Sequence, residues 1–419
     1  MARADIRRRL GWMALAAVFA VAGLAEKKKP APVPPPEPKP AVSIDVAALG
    51  YKVPGTFYLT YRLSSAALGF FDDEHLLFTF RVGGLLARVP NDPKDDEDQQ
   101  IRALVLDLKT GKVERQAEWR MHDRSQYLWP FRDGQFLVRM RDALFMTDRS
   151  LGLEPFMTFS RGIRAIQISA NRKLMVVETD EGEERGAEPP RLGAGQPVKV
   201  RIYPLGERTP VVETEGQSAT LLPLMGDGLL DLLEGKGQGF WVLRDVPFEG
   251  KPKIVAQVKS TCQPSARPLS ASVVLMVDCY GEADDRQVIA VSTSGDGELW
   301  RDRWQNRFVW GWFDSAENGS RFLYESVAVT RPISTFDALY PEDIQGQVVG
   351  VYDTESGKLV LVRDVSPVLT AGQNVALSPD GTRFAVLRNG AVEVYDLPPV
   401  SEATPKKPEM VAKKRAGSR

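Results

Sequence analysis

The chain has 419 residues, with 54 basic residues against 55 acidic ones and a formal net charge of −1. That balance leaves no basic face of the kind that marks a nucleic-acid partner. The only two histidines, His75 and His122, leave little imidazole for metal or general-base chemistry, whereas 18 Phe, 10 Tyr and 8 Trp suit a large β core.

The first stretch reads as an address. Arg7-Arg8-Arg9 is a basic n-region, and Leu10 to Leu24 is an uncharged apolar core too short for a comfortable membrane span. Gly23 and Ala25 stand at the minus-three and minus-one positions of a cleavage site, so residues 1–25 are expected to be a signal peptide and the mature chain periplasmic or secreted. The alternative is an uncleaved N-terminal anchor. No cysteine follows the apolar core, so no lipid anchor is expected. Residues 26–53 read as a linker, because Lys27 to Pro40 has proline at nearly every other position and forms neither helix nor ladder.

From Thr56 the pattern changes. Phe57, Leu59 and Tyr61 alternate with Tyr58, Thr60 and Arg62, which predicts a solitary strand over Thr56 to Leu63. Six units follow, Ser64 to Arg120, Tyr127 to Ser160, Arg164 to Glu215, Ala219 to Lys259, Ser260 to Trp304 and Phe308 to Val365. Each has runs at the two-residue period of a strand, separated by turn residues. The last and cleanest unit is Asn374 to Pro398, NVALSPDGTRFAVLRNGAVEVYDLP, in which Ser378-Pro379-Asp380-Gly381 and Asn389-Gly390 are hairpin turns. It holds only three strands. The Thr56 to Leu63 strand is therefore expected to complete it, so that N- and C-terminal strands share one blade and close the ring.

The S-P-D-G turn, the apolar strand and the following φ-x-φ-x-D resemble the repeats of WD-repeat and TolB-type propellers. That resemblance implies an all-β, seven-bladed β-propeller of four-stranded antiparallel blades over residues 54–399, with a basic tail at 400–419. It implies no function, since the fold hosts many. Asp107-Leu108-Lys109-Thr110-Gly111-Lys112 and Asp353-Thr354-Glu355-Ser356-Gly357-Lys358 also resemble the turns of quinoprotein propellers. The tryptophans Trp119 and Trp300 fall at inconsistent offsets from such turns, so no quinone and no other cofactor is expected.

Three long connections, Gly83 to Gln100, Glu181 to Val198 and Arg331 to Gly346, join second to third strands and so should crown one face. On them, Asp95, Asp96, Asp98, Arg191, Phe336 and Tyr340 are the candidate binding residues. The run Asp92 to Asp98 has oxygen ligands enough for a hard cation, but it lacks the alternating ligands and glycine of a calcium loop, so it reads as a solvated loop and no metal is expected. The six basic residues of the tail, among them Lys406, Lys407, Lys413, Lys414 and Arg415, read as a solvated charge run.

Catalytic motifs are absent from the sequence. Gly216-Gln217-Ser218-Ala219-Thr220 ends in the wrong residue for a nucleophile elbow, and Ser294 to Trp300 has the glycine of a sialidase Asp-box one residue early and in a single copy. Two function classes remain. One is a non-catalytic exported binding or scaffold propeller, monomeric, presenting its loop face to a protein or cell-envelope ligand. The other is an exported enzyme, hydrolase- or lyase-like, with carboxylates and arginines converging on the central funnel. Cys262 and Cys279, at matching distances from one hairpin tip, are expected to form a disulfide in an oxidising compartment.

Overall fold

Each repeated unit folds as its own antiparallel sheet, with its strands hydrogen-bonded in chain order. The computed structural model describes residues 38–400 apart from 87–97, 124, 181–196, 218–222, 261–262, 279–284, 295–296, 306–307, 332, 334–337 and 370–372. Apart from Pro38 and Lys39, these residues belong to one unit, Pro40–Arg419.

The chain begins with strand β1, Val42–Asp45, and a five-residue helix α1, Thr56–Thr60. The first blade is β2 (Ala66–Asp72), β3 (His75–Leu85), β4 (Gln99–Asp107) and β5 (Lys112–Met121). The second is β6 (Leu128–Pro130), β7 (Phe136–Met140), β8 (Ala143–Thr147) and β9 (Glu154–Thr158), and the third β10 (Ile163–Ile168), β11 (Leu174–Asp180), β12 (Pro197–Pro204) and β13 (Val212–Gln217). The fourth has β14 (Gly228–Glu234), β15 (Phe240–Pro247) and β16 (Lys253–Lys259). Its innermost strand is reduced to a bridge between Leu224 and Leu229, flanked by hydrogen bonds from Met225 N to Gly228 O and from Leu230 N to Pro223 O, both 2.9 Å. The fifth is β17 (Ser265–Pro268), β18 (Val273–Val277), β19 (Asp285–Ser292) and β20 (Glu298–Gln305). The sixth is β21 (Phe308–Ser315), β22 (Arg321–Val329), β23 (Ile344–Asp353) and β24 (Leu359–Val365). The seventh has β25 (Val375–Leu377), β26 (Arg383–Arg388) and β27 (Ala391–Asp396), with β1 as its outermost strand.

Burial on both faces of each blade explains why the strands read as nearly continuous apolar runs. Along β3, Leu76, Phe78 and Phe80 pack into the seam with the seventh blade, while Leu77 points into the seam with the second. Seven such clusters fill the seams between neighbouring blades, and the one joining the seventh blade to the first closes the ring. Glu325 on β22 departs from this apolar filling. It lies on the same face as Leu323 and Val327, in the seam between the sixth and seventh blades, and is 1% exposed. Neither of its carboxylate oxygens has a hydrogen-bond partner among the described residues, and burial pushes the acid up to about 8.

The turns repeat as the sequence predicts. In Ser378 to Arg383, the Ser378 hydroxyl accepts the Arg383 N–H at 2.9 Å, and Asp380 Oδ1 accepts the Thr382 N–H at 2.8 Å. At the opposite end of β26, Asn389 and Gly390 have φ of 51° and 79°, the left-handed pair that a two-residue hairpin requires.

The closing strand differs from expectation. Thr56 to Leu63 is not a strand: Thr56–Thr60 is helical, and the Phe57 and Tyr61 rings meet at helical spacing, tilted, with centroids 4.7 Å apart. The strand that pairs with β27 is β1, with Val42 opposite Val394 and Ile44 opposite Val392. Ile44, Val46 and Tyr51 are buried in the adjoining seam. The stretch expected to be linker, residues 26–53, thus supplies one strand and three core residues to the propeller, whose strands begin at Val42 rather than near residue 54.

Candidate functional site

Neighbouring strands alternate in direction, so the turns after first and third strands lie on one side of each blade and the connections after second and fourth strands on the other. These are called here the turn face and the loop face. The three long connections do follow second strands, β3, β11 and β22. Asp95, Asp96, Arg191, Phe336, Cys262 and Cys279 lie outside the described residues, so Asp98 and Tyr340 alone of the expected site are described.

Asp98 is not a solvated loop charge. Its side chain is 5% exposed and is paired with Arg120, with His122 Nδ1 at 3.1 Å and with Arg141 Nη2 at 3.1 Å. Burial opposes its ionisation, but the Arg120 hydrogen bond, the Arg141 charge and the His122 hydrogen bond outweigh it and hold the carboxyl below its ordinary value. Beside it, buried Asp123 pairs with Arg139 at 3.0 Å and accepts the Arg141 N–H at 2.8 Å. Arg81 spans the same corner, donating to Ser64 O at 2.6 Å, Gln99 Oε1 at 2.6 Å and Asp123 O at 2.7 Å. Three arginines thus pair with two buried carboxylates across the seam of the first two blades, and Arg81 ties in the backbone beside them, which uses Asp98 in holding the blades together. No local motif announces this, because Arg141 is 43 residues away in sequence.

Tyr340 is 48% exposed and stands before a single turn of 3-10 helix, Pro341–Asp343. Arg331 grips Asp343 with both arms, Nε to Oδ1 at 2.6 Å and Nη2 to Oδ2 at 2.9 Å, and holds that carboxyl below its ordinary value. The aromatic is therefore displayed on a braced connection.

A wide concavity lies on the turn face. The first-to-second strand turns of the first, second, sixth and seventh blades, the start of β5 in the first blade and the third-to-fourth turn of the second surround an open bowl of about 1040 Å³. Seven carboxylates line it, Asp72, Asp73, Glu114, Asp133, Asp148, Glu317 and Asp380, against two guanidiniums, Arg115 and Arg149. Three of them, Asp72, Asp148 and Asp380, are held by their own turns. Asp72 accepts the Glu74 and His75 N–H groups at 2.8 and 2.9 Å, with His75 Nδ1 at 2.7 Å. Burial opposes its ionisation, yet these bonds hold it low. Asp148 is held low by Ser150, whose N–H it accepts at 2.7 Å. Arg149 bridges Glu114 at 2.8 Å and Asp72 at 3.7 Å.

Asp73 and Asp380, from adjacent blades, form the one carboxyl pair of the bowl that is hydrogen-bonded together. Burial, then the hydrogen bond and charge of Asp380, push the Asp73 acid up to about 6. Burial opposes ionisation of Asp380 too, but its bonds from Ser378 and Thr382 keep it low. The pair shares one proton at mildly acidic pH.

Behind the bowl the funnel is crossed by Arg172. This residue takes φ of 53° in the turn of the third blade, where Ser-Pro-Asp-Gly would have glycine. Its guanidinium reaches Pro130 O of the second blade at 3.4 Å and Asp314 of the sixth at 3.5 Å, and its side chain is 12% exposed. The sequence carried a signal for the acidic ring: Asp73, Asp133, Glu317 and Asp380 occupy matching turns of four units. Only ring closure brings them around one bowl. Among the described residues, no group of three or more His, Cys, Asp or Glu side chains is arranged to hold a metal ion.

No protein-family model matches this chain, and no curated protein matches it. Solved structures similar to it include an acylaminoacyl peptidase in complex with a chloromethyl ketone, at 8% identity and a TM-score of 0.44, over 82% of this chain and 53% of that one. The chain therefore spans about half the length of that peptidase. A functionally unknown protein from Desulfotomaculum acetoxidans matches at 12% identity and a TM-score of 0.38, over 73% of this chain and 92% of that one. The N-terminal domain of Nup159 matches at 12% identity and a TM-score of 0.39, over 86% and 95% of the two chains. Seven antiparallel blades in a closed ring make this chain a seven-bladed β-propeller.

Proposed function

We propose that this chain is an exported, non-catalytic binding propeller whose turn-face bowl receives a cationic segment of a partner protein or cell-envelope component. The observation that carries the reading is the charge of the bowl, seven carboxylates against two guanidiniums around an open cavity of about 1040 Å³. An approaching lysine or arginine meets focused negative potential there. Asp72, Asp148 and Asp380 are held by their own turns and Glu114 by Arg149, so these carboxylates are in place before a ligand arrives. With Arg172 across the funnel, the bowl supplies a surface to lie on rather than the dry enclosed space that favours chemistry. Export rests on the basic and apolar N-terminal stretch. Among the described residues no helix is long and apolar enough to cross a membrane.

A catalytic reading has one observation on its side, the Asp73 and Asp380 pair, in which one acid is poised near pH 6. Such a pair suits proton transfer. Its substrate would have to sit in the open bowl.

A fluorescent Lys- and Arg-rich peptide titrated into the full chain tests the proposal. Binding should weaken steeply with salt. It should fall at least about tenfold when Asp73→Asn, Asp133→Asn, Glu317→Gln and Asp380→Asn are combined, roughly 1.4 kcal/mol. A control that removes as many carboxylates from outer strands, Glu118→Gln, Glu215→Gln, Glu298→Gln and Asp302→Asn on the first, third and fifth blades, should leave binding unchanged. Equal losses in both variants would remove the bowl from the account.

A further inference from the structure

We propose that the bowl is occupied, in the absence of a partner, by the chain's own basic tail, which makes the tail a built-in competitor for the site. The inference rests on the reading of the bowl as a seat for cationic segments, and adds to it the identity of one occupant.

The point where the tail leaves the propeller carries the argument. Strand β27 runs toward the turn face, and its end is fastened there: Leu397 N–H donates to Thr382 O at 2.8 Å. Arg321, 1% exposed and paired with Asp353 at 2.9 Å, donates to Gly381 O at 2.7 Å and also to Pro398 O. One buried guanidinium therefore holds the departing chain against the turn that carries Asp380. The tail starts at the rim of the bowl.

Reach and charge follow. From Pro398 to Lys406 is eight residues, about 26 Å if extended, enough to cross a cavity of this size. Residues 401–419 carry Lys406, Lys407, Lys413, Lys414, Arg415 and Arg419 against Glu402 and Glu409, a surplus of four positive charges. The bowl has a surplus of five negative ones, seven carboxylates less two guanidiniums. Tethering a segment this close gives it an effective concentration on the order of millimolar, so even a weak intrinsic affinity fills the bowl much of the time. A partner must then displace the tail, and its apparent affinity is lowered by the fraction of bowls left open.

Two measurements on the full chain test this. The first is zero-length carbodiimide coupling followed by peptide mass mapping. The expected result is intramolecular links from Lys406, Lys407, Lys413 or Lys414 to Asp133, Asp148, Glu317 or Asp380, lost in about 0.5 M salt, where charge attraction is screened within a few ångströms. Links only to carboxylates outside the bowl, only between two chains, or none at all overturn the proposal. The second is the affinity of the Lys- and Arg-rich peptide for a full-length variant with Lys406, Lys407, Lys413, Lys414 and Arg415 each replaced by Gln. Binding should be about tenfold tighter than to the parent chain, the removal of a competitor at some ten times its own dissociation constant. Equal affinity for both overturns the tail's role while leaving the bowl a binding site. Bowl links with no peptide binding to either chain uphold the tail's place and reject the bowl as a site for other cationic segments.

Discussion

Replacing Glu325 by Gln should stabilise the propeller at neutral and alkaline pH and leave it nearly unchanged at low pH. The acid is wholly buried between the sixth and seventh blades, has no hydrogen-bond partner among the described residues, and is pushed from 4.5 up to about 8. An acid raised on folding binds its proton more tightly in the native state, so ionisation works against the fold. Below pH 4.5 both states hold the proton and the penalty is absent. Between 4.5 and 8 it grows by about 1.4 kcal/mol per pH unit, reaching roughly 3 kcal/mol at pH 7 and levelling near 5 kcal/mol above pH 8. Gln keeps the shape and removes the ionisation. Urea denaturation at pH 5, 7 and 9 should show the gap between variant and parent widening by about 3 to 4 kcal/mol across the series. A gap that stays constant with pH would refute the reasoning, and one that narrows would mean that an unseen partner stabilises the ionised carboxylate.

Asp98→Ala should cost roughly 2 to 3 kcal/mol in the same assay, because it leaves Arg120, Arg141 and His122 facing one another without their shared anion. A loss below about 0.5 kcal/mol would return Asp98 to the class of surface charges. Peptide binding to the bowl should weaken as pH falls through about 6, since Asp73 then takes up its proton and the bowl loses a charge. Asp73→Asn should flatten that profile, and a profile identical to the parent's would exclude the Asp73 and Asp380 pair as its source. Under oxidising conditions Cys262 and Cys279 should resist alkylation until a reductant is added, and prompt labelling of both without reductant would contradict the expected bridge.

The blades were legible because the two constraints on them are local. A strand buried on both sides in the seams writes a continuous apolar run, and each hairpin writes its own turn residues, so Asn374 to Pro398 could be divided correctly by reading alone. The closing strand was not. Val42–Asp45 is four residues, VSID, directly after a proline-rich run, and it becomes a strand only because β27 offers an unpaired edge. Thr56 to Leu63 has Phe57, Leu59 and Tyr61 at the spacing of a strand face, yet Phe57 and Tyr61 are also four apart and pack together at helical spacing. The loop-face site failed for a related reason. Asp98 owes its role to Arg120 and Arg141, partners that a different strand and a different blade deliver. The acidic turns were visible one by one, but their convergence on a single bowl is a property of the ring.

A crystal structure of the full chain with the Lys- and Arg-rich peptide shows whether the turn-face bowl is where a cationic segment binds. The peptide should lie across the bowl, with basic side chains within hydrogen-bonding distance of Asp133, Glu317 or Asp380. A peptide seated on the loop face beside Tyr340, with the bowl untouched, would contradict the account.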